Sequence, residues 1–508
     1  MLPRVRKWLR RLAFGLGIVL VTVFIVRAYD AWSAPPLKLW HTQVPHELDA
    51  REIDAADWES WLTAEKAAFA EVELKVTARL PAEDRIALNR YFAASPIHPA
   101  GYAQDWNHSF VMMPHEAPRG AVVLLHGLTD SPYSMRHIAL HYVERGYVAV
   151  AIRMPGHGTV PAGLTTARWE TWLAATRLAV RTARHLAGEG VPLHIVGYSN
   201  GGALALKYSL DALDDPSLVR PDRVVLISPM VGITSFARFA GVLGWPAVFP
   251  SFAKAAWLDV LPEYNPFKYN SFPVNAARQS SQVSRAVQEQ LAAAAESGKL
   301  AKLPPVLTFQ SVLDATVLTS AVVDSLYRPL PANGSELVLF DRNHRAGASA
   351  LIRPGQADVL STLLPPAPRK FAVTIVGNAG AGDGPDEART WVADATEAQV
   401  KVLAQRYPND VYSLSHVALP FPPADGLYGS EPAAGDNFGL RLGTVAVRGE
   451  RGALIVNAET LIRMSSNPFF DYMIERIDAG ISPDQAPRTG GSITLASPSA
   501  FATRKSVP

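Results

Sequence analysis

The sequence predicts an α/β fold built on a mostly parallel sheet with helices on both faces. Short runs rich in valine, isoleucine and leucine, such as "GAVVLLHG" and "YVAVAIRMP", alternate with longer helical stretches. This alternation is typical of parallel strands that are buried on both faces and joined by crossover helices. It stops after residue 230 and resumes near residue 304. We therefore expect one core in two parts, 105–230 and 304–480, the second part carrying an insertion.

The first 29 residues predict a cytoplasmic basic end followed by a membrane anchor. The apolar run "LAFGLGIVLVTVFIV" can cross a bilayer together with its flanking residues. Positive charge before an apolar helix favours a cytoplasmic N-terminus, so we expect a single-pass inner-membrane protein whose main domain is periplasmic. A signal peptide cleaved near "AWSA" and a buried soluble helix are the alternatives. The positive residues are Arg4, Arg6, Lys7, Arg10 and Arg11.

The amino-acid composition excludes several classes of binding partner and of reaction chemistry. The formal net charge of +2, less those five positive residues, leaves −3, so the body of the chain lacks the basic surface that nucleic acid requires. The chain has no cysteine, which excludes a disulfide framework, a thiolate metal site and a cysteine nucleophile. No dense cluster of histidine and carboxylate residues stands out in the sequence, and we expect neither a metal nor an organic cofactor.

Three further segments lie outside the predicted core. Residues 30–104 are rich in alanine and glutamate and predict a helical stalk, or a layer packed on the main domain. Residues 231–303 are aromatic and punctuated by proline, which favours an inserted helical cap over a few additional core helices. The tail, 481–508, is predicted to be disordered. Aromatic residues of the cap would favour an apolar acyl chain: Trp245, Phe249, Phe252, Trp257 and Phe267.

The stretch "GYSNG", residues 197–201, places Ser199 between two glycines, after a predicted strand and before a predicted helix. A serine at such a sharp turn has strained backbone angles, and glycine two residues to either side avoids a clash. The helix that follows directs its positive dipole end towards the serine. Ser199 is therefore a candidate nucleophile, and the alternative is an ordinary turn that contains serine.

An oxyanion hole requires one backbone N–H from the residue after the nucleophile and a second from the loop after an early strand. Asn200 and Leu128, the latter in "LLHGLTDSPYSMR", are the candidates for these donors. The two histidines near these turns, His126 and His157, are interpreted as structural rather than catalytic.

Four motifs, "LLHGLTDSP", "RMPGHG", "GYSNGG" and "SVLDATV", together resemble the α/β-hydrolase superfamily, in its esterase and monoacylglycerol-lipase-like branch that includes serine aminopeptidases. The resemblance implies Ser199 as nucleophile, Leu128 and Asn200 as the oxyanion hole, and Asp314 as the triad acid. Independently, Asp314 follows the predicted strand "VLTFQS", although a helix N-cap would explain it as well. The segment "SHVALPFPP" resembles a longer, membrane-anchored subgroup.

Two histidines could complete the triad. His344 follows a strand thirty residues after Asp314, at the usual spacing of the family. His416 also comes at a predicted strand, "DVYSLSHVALPF". If "KFAVTIVGN" forms an additional strand, His416 would lie on the final strand of the sheet. We favour His416, and the sequence leaves His344 open.

These residues predict a serine hydrolase that cleaves small apolar or lipid-like carboxylic esters through an acyl-enzyme. A peptidase or amidase that uses the same triad is the alternative within enzymes. A catalytically silent, membrane-associated binding protein is the alternative outside them.

Overall fold

The apolar runs pair into an 11-stranded sheet in the computed structural model. The structure describes residues 2–33, 35–232, 250–346, 359–380, 384–445, 458–481 and 494–495. The strands are β1 (Phe110–Met113), β2 (Gly120–Leu125), β3 (Tyr147–Ile152), β4 (Leu193–Tyr198), β5 (Arg223–Ile227), β6 (Trp257–Asp259), β7 (Phe272–Pro273), β8 (Val306–Ser311), β9 (Glu336–Phe340), β10 (Ala372–Asn378), β11 (Asp386–Trp391), β12 (Gln399–Val402) and β13 (Thr494–Leu495).

The order across the sheet is β12-β11-β10-β9-β8-β5-β4-β2-β3-β1-β13, while β6 and β7 form a separate pair. Neighbours from β10 to β3 run parallel. The pairs at both edges, β11 with β10 and β12, and β1 with β3 and β13, are antiparallel. Because β5 pairs with β8, the chain before residue 230 and the chain after residue 304 contribute to the same sheet.

The helices are α1 (Leu2–Ser33), α2 (Leu39–Thr42), α3 (Ala50–Ala55), α4 (Trp58–Lys75), α5 (Arg136–Glu144), α6 (Trp169–Ala187), α7 (Asn200–Asp214), α8 (Val274–Glu296), α9 (Thr319–Ala321), α10 (Val359–Leu363), α11 (Ala458–Ile462) and α12 (Phe470–Asp478). A π-helical turn, Val322–Tyr327, follows α9, and short 3-10 helices connect other elements.

The side chains of β2 alternate between two hydrophobic cores, as the period of a strand requires. Val123 and Leu125 belong to the core that α6, α7 and α8 cover, whereas Val122 and Leu124 belong to the core covered by α5 and α12. All six residues of β2, β3, β4 and β8 are buried. The predicted mostly parallel sheet with helices on both faces is confirmed. In such sheets a binding site usually forms in the turns at the carboxyl ends of the strands.

Residues 35–104 form a layer on the main domain. Ile53, Trp58 and Trp61 are buried in the same core as α6 and α7. An ion-pair network strengthens this attachment, because the buried Arg153 guanidinium pairs with Glu47 at 2.7 Å and with Glu65 at 3.0 Å. The packed-layer interpretation of this region therefore describes the structure better than a free stalk does.

Helix α1 is different, since none of its apolar span is buried against the rest of the chain. The stretch Val5–Val26 has 22 residues with a mean hydropathy of 2.1. By length and composition it could be a membrane span or a signal sequence.

Three expectations concern later segments of the chain: the cap and two strands. Within the predicted cap, residues 233–249 lie outside the described residues, and α8 packs along α7 with Val283, Val287 and Leu291 in the main core. The predicted strand "KFAVTIVGN" is confirmed as β10. The predicted strand around residues 410–421 is wrong, because this segment forms a series of turns. Its carbonyls and amides bond locally, as from Ala418 N to Ser415 O at 3.1 Å.

Candidate active site

Ser199 lies at the junction of β4 and α7 in a strained backbone conformation, with φ 55° and ψ −116°. A Cβ on Gly197 would lie 2.4 Å from the Gly201 oxygen, and one on Gly201 would lie 2.1 Å from the Leu125 oxygen. Only glycine therefore allows the strand and helix to meet this tightly. Backbone strain of about 1–3 kcal/mol at a single residue persists where the surrounding structure enforces it, which is common at active sites.

Three side chains from distant parts of the chain form a continuous hydrogen-bonded relay. His416 Nε2 lies 2.9 Å from Ser199 Oγ, and His416 Nδ1 lies 3.0 Å from Asp314 Oδ2. Ser199 and His416 are 3% and 6% exposed, and the Asp314 carboxylate is fully buried. In this arrangement Asp314 favours the tautomer with a proton on Nδ1, which leaves Nε2 free to accept the serine proton.

The Asp314 carboxylate is held by four hydrogen bonds. Its Oδ1 accepts from the backbone N–H groups of Thr316 at 2.8 Å and Val317 at 3.0 Å, and its Oδ2 accepts from Gln310 Nε2 at 3.2 Å and from His416. Burial raises the pKa of Asp314, but the charge and hydrogen bond of His416 and the two backbone N–H groups outweigh it and hold that pKa below its ordinary value. The carboxylate is therefore ionised at neutral pH.

Asn200 is the first residue of α7, so its backbone N–H has no partner within the helix. The N–H groups of Gly202 and Ala203 already bond to the Ser199 oxygen, at 3.0 and 3.3 Å. The Asn200 side chain is fixed separately, since its Oδ1 accepts from the Ser280 hydroxyl at 3.0 Å. The helix thus presents a preorganised N-terminus directly after the serine.

The loop after β2 passes close to the same serine. A Cβ on Gly127 would lie 3.2 Å from Ser199 Cβ, so this loop brings Leu128 beside the turn. His126 shapes the loop: its Nε2 accepts from the Met154 N–H at 2.9 Å, and its Nδ1 therefore donates to the Gly127 oxygen at 2.9 Å. Burial lowers the pKa of His126 to about 3, so the ring stays neutral in this role.

His344 lies elsewhere, after β9 and beside β10. Its Nε2 is 3.3 Å from Asp341 Oδ2, and its backbone N–H donates to Asn378 Oδ1 at 2.6 Å. The side chain is 34% exposed. The structure therefore brings His416, and not His344, to Ser199 and Asp314.

A buried ionic network holds the turn around Asp425, nine residues after His416. Asp425 accepts hydrogen bonds from the Tyr133 hydroxyl at 2.8 Å, from Arg136 Nη2 at 2.9 Å and from the backbone N–H of Tyr428 at 2.7 Å. His137 Nε2 lies 2.9 Å from the same carboxylate. Burial raises the pKa of Asp425, but His137 and Arg136 outweigh it and hold that pKa far below its ordinary value. Tyr133 and Arg136 stand in the loop and helix after β2, so the network links the Leu128 loop to the His416 segment.

Among the described residues, His137, Asp425 and Asp436 are spaced closely enough to hold a metal ion. The Arg136 guanidinium donates to both carboxylates, and it therefore already neutralises the charge that would attract a cation. We interpret this cluster as structural.

Of the five aromatic residues expected to favour an acyl chain, Trp245 and Phe249 lie outside the described residues, and the Phe252 side chain is likewise not described. Trp257 packs edge-on against His41, and Phe267 stacks on Tyr133 with ring centroids 4.0 Å apart. Trp257 and Phe267 are 4% and 1% exposed. Other aromatic rings cover the surfaces of these two side chains, and their contact with an acyl chain stays a prediction.

Residues 116–330 match the family model described as serine aminopeptidase, S33. The match covers the Leu128 loop, the Ser199 turn and Asp314, and it ends before His344 and His416. The sheet order and the strand-to-helix turn agree with this match. This chain has the α/β-hydrolase fold. The segment that carries His416 is therefore a part of this fold that the family model does not reach.

Individual relatives match shorter stretches or match weakly. The chain is 31% identical over 85 residues to the thermostable monoacylglycerol lipase of Bacillus sp. (strain H-257), a stretch that covers 17% of this chain and 33%, or about a third, of that protein. A soluble variant of monoglyceride lipase from Saccharomyces cerevisiae is 16% identical, covering 46% of this chain and 82% of the other, with a TM-score of 0.35. The monoacylglycerol lipase of Paleococcus ferrophilus is 17% identical, with 46% and 88% covered and a TM-score of 0.35.

Sequence reasoning missed the residues that hold the site in place. Gln310, which donates to Asp314, and the Asp425 network drew no attention because each is an isolated polar residue in its own segment. The available signal was two polar motifs in predicted loops, "PYSMRH" and "PADGLYG". That these motifs bind each other becomes clear only in the folded structure.

Proposed function

We propose that this α/β-hydrolase is a serine hydrolase of carboxylic esters in which Ser199 is the nucleophile, His416 the general base and acid, and Asp314 the residue that orients the imidazole. The observation that supports this most directly is the relay from Ser199 Oγ to His416 to Asp314, at 2.9 and 3.0 Å, on a serine with positive φ. The N–H groups of Leu128 and Asn200 would form the oxyanion hole.

The reaction would proceed in two acyl-transfer steps. Ser199 Oγ attacks the ester carbonyl carbon while its proton passes to His416 Nε2, and the oxyanion is stabilised by the backbone N–H groups of Leu128 and Asn200. Collapse of this intermediate breaks the ester C–O bond, and His416 gives its proton to the departing alcohol. A water molecule then attacks the acyl-enzyme with the same proton transfers, which releases the acid and restores Ser199. The buried Asp314 carboxylate stabilises the imidazolium in both steps.

The substrate would be a small apolar or lipid-like ester. The segment shared with a monoacylglycerol lipase supports an ester of this kind. The description of the matching family as serine aminopeptidase keeps amide and peptide substrates as the second candidate.

We further propose that α1 tethers the enzyme to the inner membrane with its catalytic domain on the periplasmic side. The exposed apolar stretch Val5–Val26 and the basic residues before its centre support this orientation. Protease treatment of spheroplasts tests it: the main domain should be cleaved in intact spheroplasts, and protection until lysis would contradict the orientation.

A fluorophosphonate probe tests the enzyme itself. The full chain should become labelled at Ser199, and Ser199→Ala should remain unlabelled while it keeps the parental melting temperature. An unlabelled parent chain would favour the silent binding protein. Ester and anilide substrates with the same acyl group then separate the esterase from the amidase, because the esterase proposal requires the higher kcat/KM on the ester across an acyl-length series.

A further inference from the structure

A groove lies between α4 and the start of β1, and none of the three residues of the proposed catalytic relay lines it. It encloses a cavity of about 700 Å³. Its walls are mostly apolar and include Leu62, Phe69, Val72, Tyr91, Phe110 and Val111. Three of these, Leu62, Phe69 and Val72, are only half-buried although they lie on the inner side of a helix that is otherwise packed on the core. Apolar surface left open in this way indicates a binding surface.

The C-terminal strand β13 leads directly to this groove. Leu495 pairs with Met112 and Thr494 with Met113, in an antiparallel register on the edge strand β1. An antiparallel strand continued in this register would set residues 496 and 497 opposite Val111 and Phe110. These are the two β1 residues that line the groove. The pairing thus directs the rest of the chain towards the cavity.

The length and composition of that remaining segment suit the cavity. Residues 496–508 have the sequence "ASPSAFATRKSVP". Thirteen residues reach about 40 Å when extended, more than enough to cross the groove. Pro498 cannot donate to a strand ladder, so the segment would leave the sheet edge there. Phe501 is its single aromatic residue.

Charge supports the same occupant. The rim of the groove carries the acidic side chains of Glu73 and Asp105 against one exposed lysine, Lys66. Arg504 and Lys505 follow Phe501 by three and four residues, so they could reach the rim when the aromatic ring lies inside.

We propose that residues 496–508 bind this groove within the same molecule, with the Phe501 ring in the cavity beside Phe69. The segment would then act as a strap that continues from β13 along the edge strand β1 and covers the groove. This inference does not depend on the proposed hydrolase activity, since it involves neither Ser199 nor His416.

The absence of cysteine from the chain allows a clean test by cross-linking. The full chain carrying Leu62→Cys and Ala502→Cys, which keeps the Phe501 ring, should form an intrachain cross-link with a short bis-maleimide in lipid nanodiscs. The cross-link should form roughly tenfold faster than in a chain carrying Thr63→Cys and Ala502→Cys. Thr63 is the matched control, because it is the next residue of α4 and is exposed outside the groove. Equal cross-linking rates for the two pairs would overturn the proposal.

A second measurement avoids changes to the groove. In the Phe501→Asp chain, hydroxyl-radical oxidation of Phe69 should rise severalfold, whereas oxidation of the exposed Tyr412 should stay the same. Unchanged oxidation of Phe69 would overturn the strap. A small apolar molecule that co-purifies with the chain, and whose removal alone exposes Phe69, would equally overturn it by assigning the groove to that ligand.

Discussion

His416 and His344 each lie within hydrogen-bond reach of an aspartate, yet their surroundings differ in every other respect. The His416–Asp314 pair is almost completely buried and continues to Ser199 Oγ. The His344–Asp341 pair is a third exposed on the histidine side, and Asp341 also accepts from the Arg342 backbone N–H at 2.8 Å, whereas only the backbone N–H of His344 bonds to Asn378. An acid–histidine pair is therefore not sufficient evidence of a catalytic base. What distinguishes the two is the buried Ser199 hydroxyl on the far side of the His416 ring.

The strongest challenge to this comparison is to remove each histidine in turn. His416→Ala should lower kcat/KM for a short-chain ester by roughly 10⁴-fold or more, because no other group would take the Ser199 proton. His344→Ala should change kcat/KM by less than about threefold, since surface pairs contribute little. Steady-state kinetics on both variants, with folding checked by circular dichroism, gives the answer. A reversed order would make His344 the base.

Exchanging the two acids for amides sharpens the same contrast. Asp314→Asn should reduce kcat by roughly 10³- to 10⁴-fold, because asparagine cannot stabilise the imidazolium and disturbs the tautomer that frees Nε2. Asp341→Asn is the matched control and should stay close to the parent. If Asp314→Asn kept nearly full kcat, this result would contradict the proposed role of Asp314 in orienting His416.

The next prediction concerns the buried ion pair between Arg136 and Asp425, which lies in the turns after His416. Asp425→Asn should lower the free energy of unfolding by about 3–5 kcal/mol, because it removes one partner from a buried ion pair with Arg136. The pKa of Asp425 is depressed in the folded state, so this stabilisation is present above its unfolded value of about 3.9 and is lost as the pH falls through the folded value. Denaturant melts at pH 7 and pH 3 measure both effects.

The control for this experiment is Asp436→Asn, which removes the more exposed carboxylate that faces the same arginine. It should cost less stability than Asp425→Asn at pH 7. Equal losses from the two substitutions would contradict the view that Asp425 is the centre of the network.

Local sequence was a good guide to the strands and to the turn at Ser199, because both depend on neighbouring residues. Alternation of apolar runs predicted the strands of the parallel core, including β10. The clash that a Cβ would cause at Gly197 or Gly201 follows from the tight turn itself. These features need no knowledge of distant contacts.

The path of the chain around His416 could not be predicted in the same way. Residues 410–421 are rich in apolar side chains and predicted a strand, but they form turns whose carbonyls accept hydrogen bonds from distant side chains. Asn343 Nδ2 donates to the Val411 oxygen at 2.9 Å, and the Tyr198 hydroxyl donates to the His416 oxygen at 3.4 Å. These donors are 68 and 218 residues away along the chain. Tertiary packing thus overrides a local strand preference.

A third acid–histidine pair offers the mildest test of the comparison. His108 Nδ1 lies 3.2 Å from Glu65 Oε1, and its ring stacks on Phe69 with centroids 3.7 Å apart. Burial lowers the pKa of His108, but the hydrogen bond and charge of Glu65 outweigh burial and raise that pKa above its ordinary value. The stabilisation is therefore fully present below the unfolded pKa of about 6.5 and lost as the pH rises through the folded value.

His108→Gln should consequently lower the melting temperature more at pH 5.5 than at pH 9, by a few degrees at most, while kcat/KM stays within about twofold of the parent. Thermal melts at the two pH values, together with ester kinetics, measure this. If His108→Gln lost as much activity as His416→Ala, pairing with an acid would be sufficient for a role in catalysis. A pH-dependent change in stability without such a loss would leave contact with the Ser199 hydroxyl as the feature that separates His416 from His344 and His108.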